Sequence, residues 1–472
     1  MKERLELLFN PSSLALIGAS KDIWKSGGFF LRSLVDHGFR GQVYPVNPRE
    51  SEIMGLRTYS SVVDIPAEVD LAIMTIPAQA TEQAMLECAQ KGVKFAVLHT
   101  AGYSETGDEG RDLEDRVIQI ARQGGVRVIG PNCMGIYSPQ AKLNTIIPFI
   151  DLPEMGIDLP MEMGDVAFVG QSGWASETFI ISGHDRGLRV SRVISSGNQS
   201  DLDTVDYLEY FGADPNTRVI AAYLEGIKKG RELLRVAAEV SKRKPIIIWK
   251  AGKTDAGARA VASHTGSLAG SDLVYSGAFK QAGIIRAQNM EELIDLAVAF
   301  SCPHPTAGNR VGIIVEAGGG AVAAADACES LGLHISPFPE EVQDELRDYL
   351  KEIKSPSYAV KNPVDLVWPP FSEYSRILPQ CLEIMAKAAD ALLAITYYPL
   401  TDEPYAQGMK ELVERVKKPL FIVPPYPTRQ SEGLSIYTRN GIPAFPTAER
   451  AAKALAVFFE YHKYLGQSRG SR

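Results

Sequence analysis

Short apolar runs, each closed by a turn residue and followed by a helical pattern, constrain this chain more than any other feature. Such alternation specifies βαβ units on parallel sheets, with ligands gathered at the carboxyl ends of the strands. Between residues 13 and 135 the expected strands are Leu14 to Ile17, Gln42 to Val46, Leu71 to Ile76, Phe95 to His99 and Val126 to Ile129, with a helix starting near Gly27-Gly28. After a proline-bearing linker (Pro139, Pro148, Pro153, Pro160) the pattern restarts at Asp165. Strands are expected at Val166 to Val169, Val190 to Ser195, Arg218 to Leu224 and Ile246 to Trp249, with helices over Trp174 to Ile181 and Arg231 to Ser241. A third series follows a linker at Pro303 to Gly308. It has strands Val311 to Val315, Ala391 to Tyr397 and Leu420 to Val423, a turn at Asn362-Pro363-Val364-Asp365, and helices Val322 to Leu331 and Thr447 to Leu465; Gly466 to Arg472 reads as a tail.

At 472 residues the chain is too long for one core. The expected fold is α/β: a Rossmann-like domain over 1–140, a flavodoxin-like doubly wound domain over 160–302, and a second flavodoxin-like domain over 308–465 serving as an interface. The net charge of -8 is spread along the chain, which argues against a nucleic-acid partner. The first residues contain acids and no long apolar core, so no signal peptide is expected, and no apolar run reaches membrane-spanning length. Five scattered cysteines suggest reduced thiols in a cytoplasmic protein.

The turn Gly18-Ala19-Ser20 after the first strand invites a dinucleotide reading. Two features oppose it: the full G-x-G-x-x-G is absent, and the second strand ends in Asn47-Pro48-Arg49 where an acid would hold the NAD ribose. Lys21, Lys25 and Arg49 place positive charge there instead, which suits a phosphorylated adenosine such as that of coenzyme A; solvated surface lysines are the plainer alternative. Gly130-Pro131-Asn132-Cys133-Met134-Gly135 closes the last strand of this series. Cys133 is a nucleophile by residue type, but buried packing is the commoner role of an intracellular cysteine, and no histidine lies nearby in sequence.

In the second series, Gly170-Gln171-Ser172-Gly173 opens a helix, whose N-terminus is an anion site, although a plain Ser N-cap looks the same in sequence. The dipole contributes about 0.3–1 kcal/mol, enough to position a phosphate and no more. Leu224-Glu225-Gly226 puts an acid at a strand tip. The segment Ala251 to Gly270 reads as a glycine-rich loop carrying Ala262-Ser263-His264-Thr265-Gly266-Ser267, where an imidazole flanked by hydroxyls suits attack on phosphorus. A carboxylate at Glu225 would fix the tautomer of such a ring. The alternatives are a loop histidine bonded to a carbonyl and a surface glutamate. Gly252-Lys253-Thr254 imitates the end of a Walker A motif, but Ile247 occupies the place of its first glycine.

Taken in order, the first-strand glycine turn with Val46-Asn47-Pro48, the Gly130 to Gly135 segment, Gln171-Ser172-Gly173, Leu224-Glu225-Gly226, Ser263-His264-Thr265-Gly266 and Asn362-Pro363-Val364-Asp365 resemble the α subunit of the ADP-forming acyl-CoA synthetases (acetate–CoA ligases), relatives of succinyl-CoA synthetase. The resemblance implies CoA binding by Gly18, Ala19, Ser20, Lys25, Asn47, Pro48, Arg49, Ile76, Pro77, Asn132 and Cys133. It implies a phosphate held by Ser172, Gly173, Thr265 and Gly266, and a phosphohistidine at His264 oriented by Glu225. Acyl-CoA and phosphate would give acyl phosphate and CoA, and the phosphoryl group would pass through His264 to ADP, reversibly. No metal is expected on this chain. ADP or ATP with Mg belongs to a separate ATP-grasp β subunit, so a small carboxylic acid or its acyl-CoA and a homo- or hetero-oligomer are expected, without nucleic acid or membrane. Trp174 and Glu316 depart from the commoner pattern. A non-catalytic CoA-binding protein and an NAD-dependent oxidoreductase are the competing expectations.

Overall fold

The computed structural model describes residues 2–146, 161–265, 271–357, 359–367, 369, 374–397, 402–424 and 430–470. Most of its inner strands are largely apolar because helices cover both faces of a parallel sheet. In the first sheet β1 (Ser13–Ile17) is buried at every position. It is followed by β2 (Gln42–Val46), a short antiparallel pair β3 (Glu52–Ile53) and β4 (Leu56–Arg57), then β5 (Leu71–Met74), β6 (Phe95–Leu98) and β7 (Arg127–Ile129). The order is β2-β1-β5-β6-β7. The second sheet holds β8 (Gly135–Ser138), β9 (Leu143–Asn144), β10 (Val166–Gly170), β11 (Val190–Ser195), β12 (Val219–Leu224), β13 (Ile246–Lys250) and β14 (Ile285–Ala287), in the order β14-β13-β12-β10-β11-β8-β9. The third holds β15 (Val311–Val315), β16 (Val364–Asp365), β17 (Ala391–Ile395) and β18 (Leu420–Val423), in the order β16-β15-β17-β18.

All three sheets share one winding. The first parallel strand of each lies between the second and the third, so each has a topological switch point at that first strand, where doubly wound sheets open a crevice for ligands. In the third sheet Glu316 follows the first strand, β15, and is buried. Its buried carboxylate accepts from Thr396 Oγ1 at 2.8 Å and from the Tyr397 N–H at 2.8 Å, which gives this departure a structural reason.

The chain forms two compact units, one of Met1–Ile181 with Arg189–Met290, the other of Ser182–Leu188 with Glu291–Arg472. The first unit contains the first two large sheets; one core runs from Leu16, Phe30 and Ile73 to Ile194, Leu208 and Phe211, and a second, with Ile17, Met74, Met85 and Val117, packs on the other face of the first sheet. The helix Lys2–Phe9 fastens to that core through Phe9, stacked on Tyr210 at 5.3 Å. Arg192, 1% exposed, donates to Asp214 at 2.8 Å and to Glu6 at 2.9 Å under the same rings. Burying a guanidinium is tolerable only when it is paired in this way.

Four segments differ from the sequence reading. The stretch after Ser138, read as a linker, instead turns back in the β8–β9 pair, which extends the second sheet antiparallel to β11; residues 147–160 lie outside the described residues. The segment read as a glycine-rich loop contains a helix, Asp255–Thr265. Gly252 takes φ +78° and Thr254 Oγ1 accepts from the Gly257 N–H at 3.1 Å, so the Walker-like residues cap this helix. Val364 and Asp365, read as part of a turn, form β16, and Asn362 is tied to β15 through Ile313 N–H and Val311 O, both at 2.9 Å. The closing helix runs Ala448–Gly470, well into the expected tail. No helix among the described residues is long and apolar enough to cross a membrane.

Candidate functional site

Within the first unit the strand tips of both sheets converge on a cavity of about 550 Å³. Thr75, Ile76 and Pro77 after β5, His99 and Thr100 after β6, and Asn132, Cys133 and Met134 after β7 form one wall; Gln171, Ser172 and Gly173 after β10 and Gly197 and Asn198 after β11 form the other. Backbone bonds brace these walls. The Asn132 N–H donates to Thr100 O at 3.1 Å within the first wall, and the Asn198 N–H donates to Pro131 O at 3.0 Å between the two. Gly197 has φ +52°, and a Cβ there would sit 2.1 Å from Pro131 O, so only glycine allows this approach.

The helix Gly173–Asp185 begins at the cavity. Ser172 Oγ accepts from the Ala175 N–H at 3.4 Å, so Ser172 is an N-cap and a wall residue at once. A Cβ on Gly173 would meet Met134 Cγ at 2.7 Å. The open first turn of such a helix, carrying the positive end of its dipole, suits an oxyanion.

Behind this wall sits Glu225, only 4% exposed, so it is not a surface glutamate. Gln171 holds its backbone. The Gln171 carbonyl oxygen accepts from the Glu225 and Gly226 N–H groups, the latter at 2.9 Å, while its amide donates to Gly226 O at 2.8 Å. Tyr223 OH donates to Glu225 Oε1 at 3.1 Å, and Lys250 Nζ donates to Glu225 O at 2.8 Å. Burial, with Arg286 nearby, pulls the Lys250 ammonium down to about 8. Removing the amide in Gln171→Ala strands two buried N–H donors, at about 1–3 kcal/mol each. The expected loss is therefore on the order of 2–6 kcal/mol, checked as a lower urea midpoint at unchanged m-value.

Of the residues expected to bind ligands, Ile76, Pro77, Asn132, Cys133, Ser172 and Gly173 line the cavity. Gly18, Ala19, Ser20, Lys25, Asn47, Pro48 and Arg49 lie at the β1 and β2 ends, outside its lining. There Asn47 Nδ2 donates to Ala19 O at 2.8 Å and its Oδ1 accepts from the Arg49 N–H at 2.8 Å, tying the two tips together. Lys21 pairs with Glu50 and Lys25 with Asp22 at 4.0 Å, and the Lys21, Lys25 and Arg49 side chains are all exposed. Gly18, at φ +94°, accepts the close approach of Gly27, whose Cβ would fall 2.0 Å from Gly18 O. His264 and Thr265 are placed by backbone on the helix Asp255–Thr265, which comes close to the Ser104–Thr106 turn; their side chains and Gly266 lie outside the described residues. That turn reaches the cavity wall, because Asn198 Nδ2 donates to Glu105 Oε2 at 2.6 Å and to Ser104 Oγ at 3.3 Å.

Burial pushes the Cys133 thiol up to about 12, with Sγ 3.5 Å from Leu98 O, which fits packing and not nucleophilic use. Trp174 is exposed outside the cavity, edge-on to Trp249 at 6.5 Å. Sequence reasoning missed His99, Thr75, Thr100 and Asn198. The available signal was position alone, since His99 and Thr100 end a parallel strand as Gly18 and Ile76 do.

Two family models match this architecture, a CoA binding domain over residues 12–139 and a succinyl-CoA ligase like flavodoxin domain over 163–300. The chain is 39% identical over 469 residues to the α subunit of acetate–CoA ligase [ADP-forming] II of Pyrococcus furiosus, covering 98% of this chain and 99% of that one. It belongs to the ADP-forming acetate–CoA ligase family. Within these acyl-CoA synthetases it corresponds to the α subunit along its full length. The acetate–CoA ligase [ADP-forming] I of Archaeoglobus fulgidus is 36% identical over 98% of this chain, which spans 65% of that longer relative. A dinucleotide-forming acetyl-coenzyme A synthetase 1 of Ca. Korarchaeum cryptofilum, solved in complex with phosphate and ADP, superposes with a TM-score of 0.85 at 35% identity over 98% of both chains.

Proposed function

We propose that the chain, with a nucleotide-binding partner, interconverts acyl-CoA, ADP and phosphate with carboxylic acid, CoA and ATP. The observation that carries this reading is the shared cavity, with strand tips of the CoA-binding sheet on one side and the Ser172–Gly173 helix start on the other. In this reading CoA lies along the β1 and β2 ends, its phosphates near Lys25 and Arg49, and its thioester reaches the cavity past Ile76, Pro77, Asn132 and Cys133. A phosphate oxygen held by Ser172, Gly173, Thr265 and Gly266 attacks the thioester carbonyl; the C–S bond breaks, and CoA leaves as thiolate and takes a proton. A ring nitrogen of His264 then attacks phosphorus of the acyl phosphate, releasing the carboxylate, and Glu225 stabilises the charged ring. ADP finally takes the phosphoryl group from His264.

The partner is an ATP-grasp β subunit that carries ADP or ATP with Mg, in a hetero-oligomer of the cytoplasm. The α-subunit designation of the Pyrococcus relative and the greater length of the Archaeoglobus one support a second component. The division into three domains, 1–140, 160–302 and 308–465, is part of the same proposal. Parallel calorimetric titrations of the chain with CoA and NAD test the reading. CoA is expected to bind and NAD to give no heat above dilution; the reverse result would overturn it.

A further inference from the structure

The two walls of the cavity differ in what they offer a ligand. On the wall built by β5 and β6, side-chain hydrogens are already committed to the backbone. Thr75 Oγ1 donates to Ile17 O at 3.1 Å or Gly18 O at 3.2 Å, and Thr100 Oγ1 donates to Ile76 O at 2.6 Å. His99 Nδ1 lies 2.9 Å from Cys133 O, and since a carbonyl only accepts, the ring proton sits on Nδ1. The Phe30 ring meets the imidazole edge-on at 4.8 Å, which fixes its plane. Nε2 is then a bare lone pair. No described residue donates to it, it is not sealed among the buried polar atoms, and His99 faces the cavity. Burial lowers the pKa of the ring, so at neutral pH it is an uncharged acceptor. The opposite wall, with the start of the Gly173–Asp185 helix, offers donors.

The acceptors at the β5 and β6 tips do not favour phosphate or carboxylate oxygens, and they leave a purely hydrocarbon group facing unpaired lone pairs. We propose that His99 Nε2, supported by Thr75 and Thr100, selects acyl groups that carry a hydrogen-bond donor such as a hydroxyl. The inference rests on the cavity being the site of acyl transfer, as set out above. The same acceptors also suit an amide N–H of the pantetheine arm of CoA, and the test separates the two sources.

Binding of 3-hydroxypropionyl-CoA, butyryl-CoA and free CoA to the full chain is measured for wild type, His99→Leu and His99→Gln. The two thioesters differ by a hydroxyl in place of a methyl. Wild type is expected to prefer the hydroxylated thioester by roughly tenfold or more, since a site that hydrogen-bonds a hydroxyl rejects analogues lacking it. His99→Leu is expected to bring the ratio to about one, and His99→Gln, which restores an acceptor, to recover part of it; free CoA affinity stays unchanged in both. An unchanged ratio in His99→Leu with CoA binding intact overturns this inference alone. An equal loss of CoA and thioester binding in His99→Leu assigns the acceptors to pantetheine and also overturns it. Failure of wild type to bind CoA at all overturns the proposed function first.

Discussion

His264→Ala is expected to abolish nucleotide turnover, by a factor on the order of 10⁴ or more, because in the proposed mechanism it removes the nucleophile and with it the covalent route. CoA should still titrate into the variant with wild-type affinity. The measurement is acid-labile radiolabel on the chain after incubation with labelled ATP and the partner subunit, together with the heat of CoA binding. The helix Asp255–Thr265 that carries this residue follows β13, whose Lys250 bonds Glu225 O. It is therefore positioned from the same strand ends as the carboxylate and lies apart from the β1 and β2 tips assigned to CoA. A variant that still becomes labelled would place the phosphoryl acceptor elsewhere, and one that loses CoA would make residue 264 part of the CoA site.

The second large effect concerns Glu225→Gln. The amide is nearly isosteric, keeps an oxygen for the Tyr223 hydroxyl and leaves the Gln171 clamp on the backbone untouched. In the proposed mechanism, what it removes is the negative charge that stabilises the His264 ring as it becomes positive during phosphoryl transfer. In the serine-protease triad, changing the orienting acid to its amide costs ~10⁴ in rate, so a fall in phosphoenzyme formation on the order of 10²–10⁴ is expected here. The thermal midpoint and CoA affinity should hold. Rapid-quench labelling at wild-type rates would show that the carboxylate does not act on the histidine.

Most strand positions were legible because the run is largely apolar and is ended by a turn residue that the fold requires. Gly18, Gly170 and Gly130 are examples, and β2, β11, β15 and β18 fall where the pattern puts them. The functional tips followed from the same logic, since parallel sheets gather ligands at their carboxyl ends. Other features were not legible, for separate physical reasons. The helix Asp255–Thr265 is flanked by glycines, which masked its alanine-rich middle and its Thr254 cap. The burial of Glu225 depends on Gln171, 54 residues earlier, and the acceptor state of His99 depends on a carbonyl 34 residues later. A lone histidine at a strand end carries no spacing that reveals such a partner. The burial of Glu316 likewise depends on the hydroxyl of Thr396, 80 residues later.

The antiparallel pair Gly135–Ser138 and Leu143–Asn144 pairs with Val193 to Ser195 although it directly follows the last strand of the first sheet. Severing the gene near residue 139 would thus tear the pair in half and bare the outer rim of β11, a hydrophobic border of the kind that zips onto neighbouring molecules. Fragments intended to isolate nucleotide-free CoA recognition should instead keep everything from the amino terminus through Met290 in one piece.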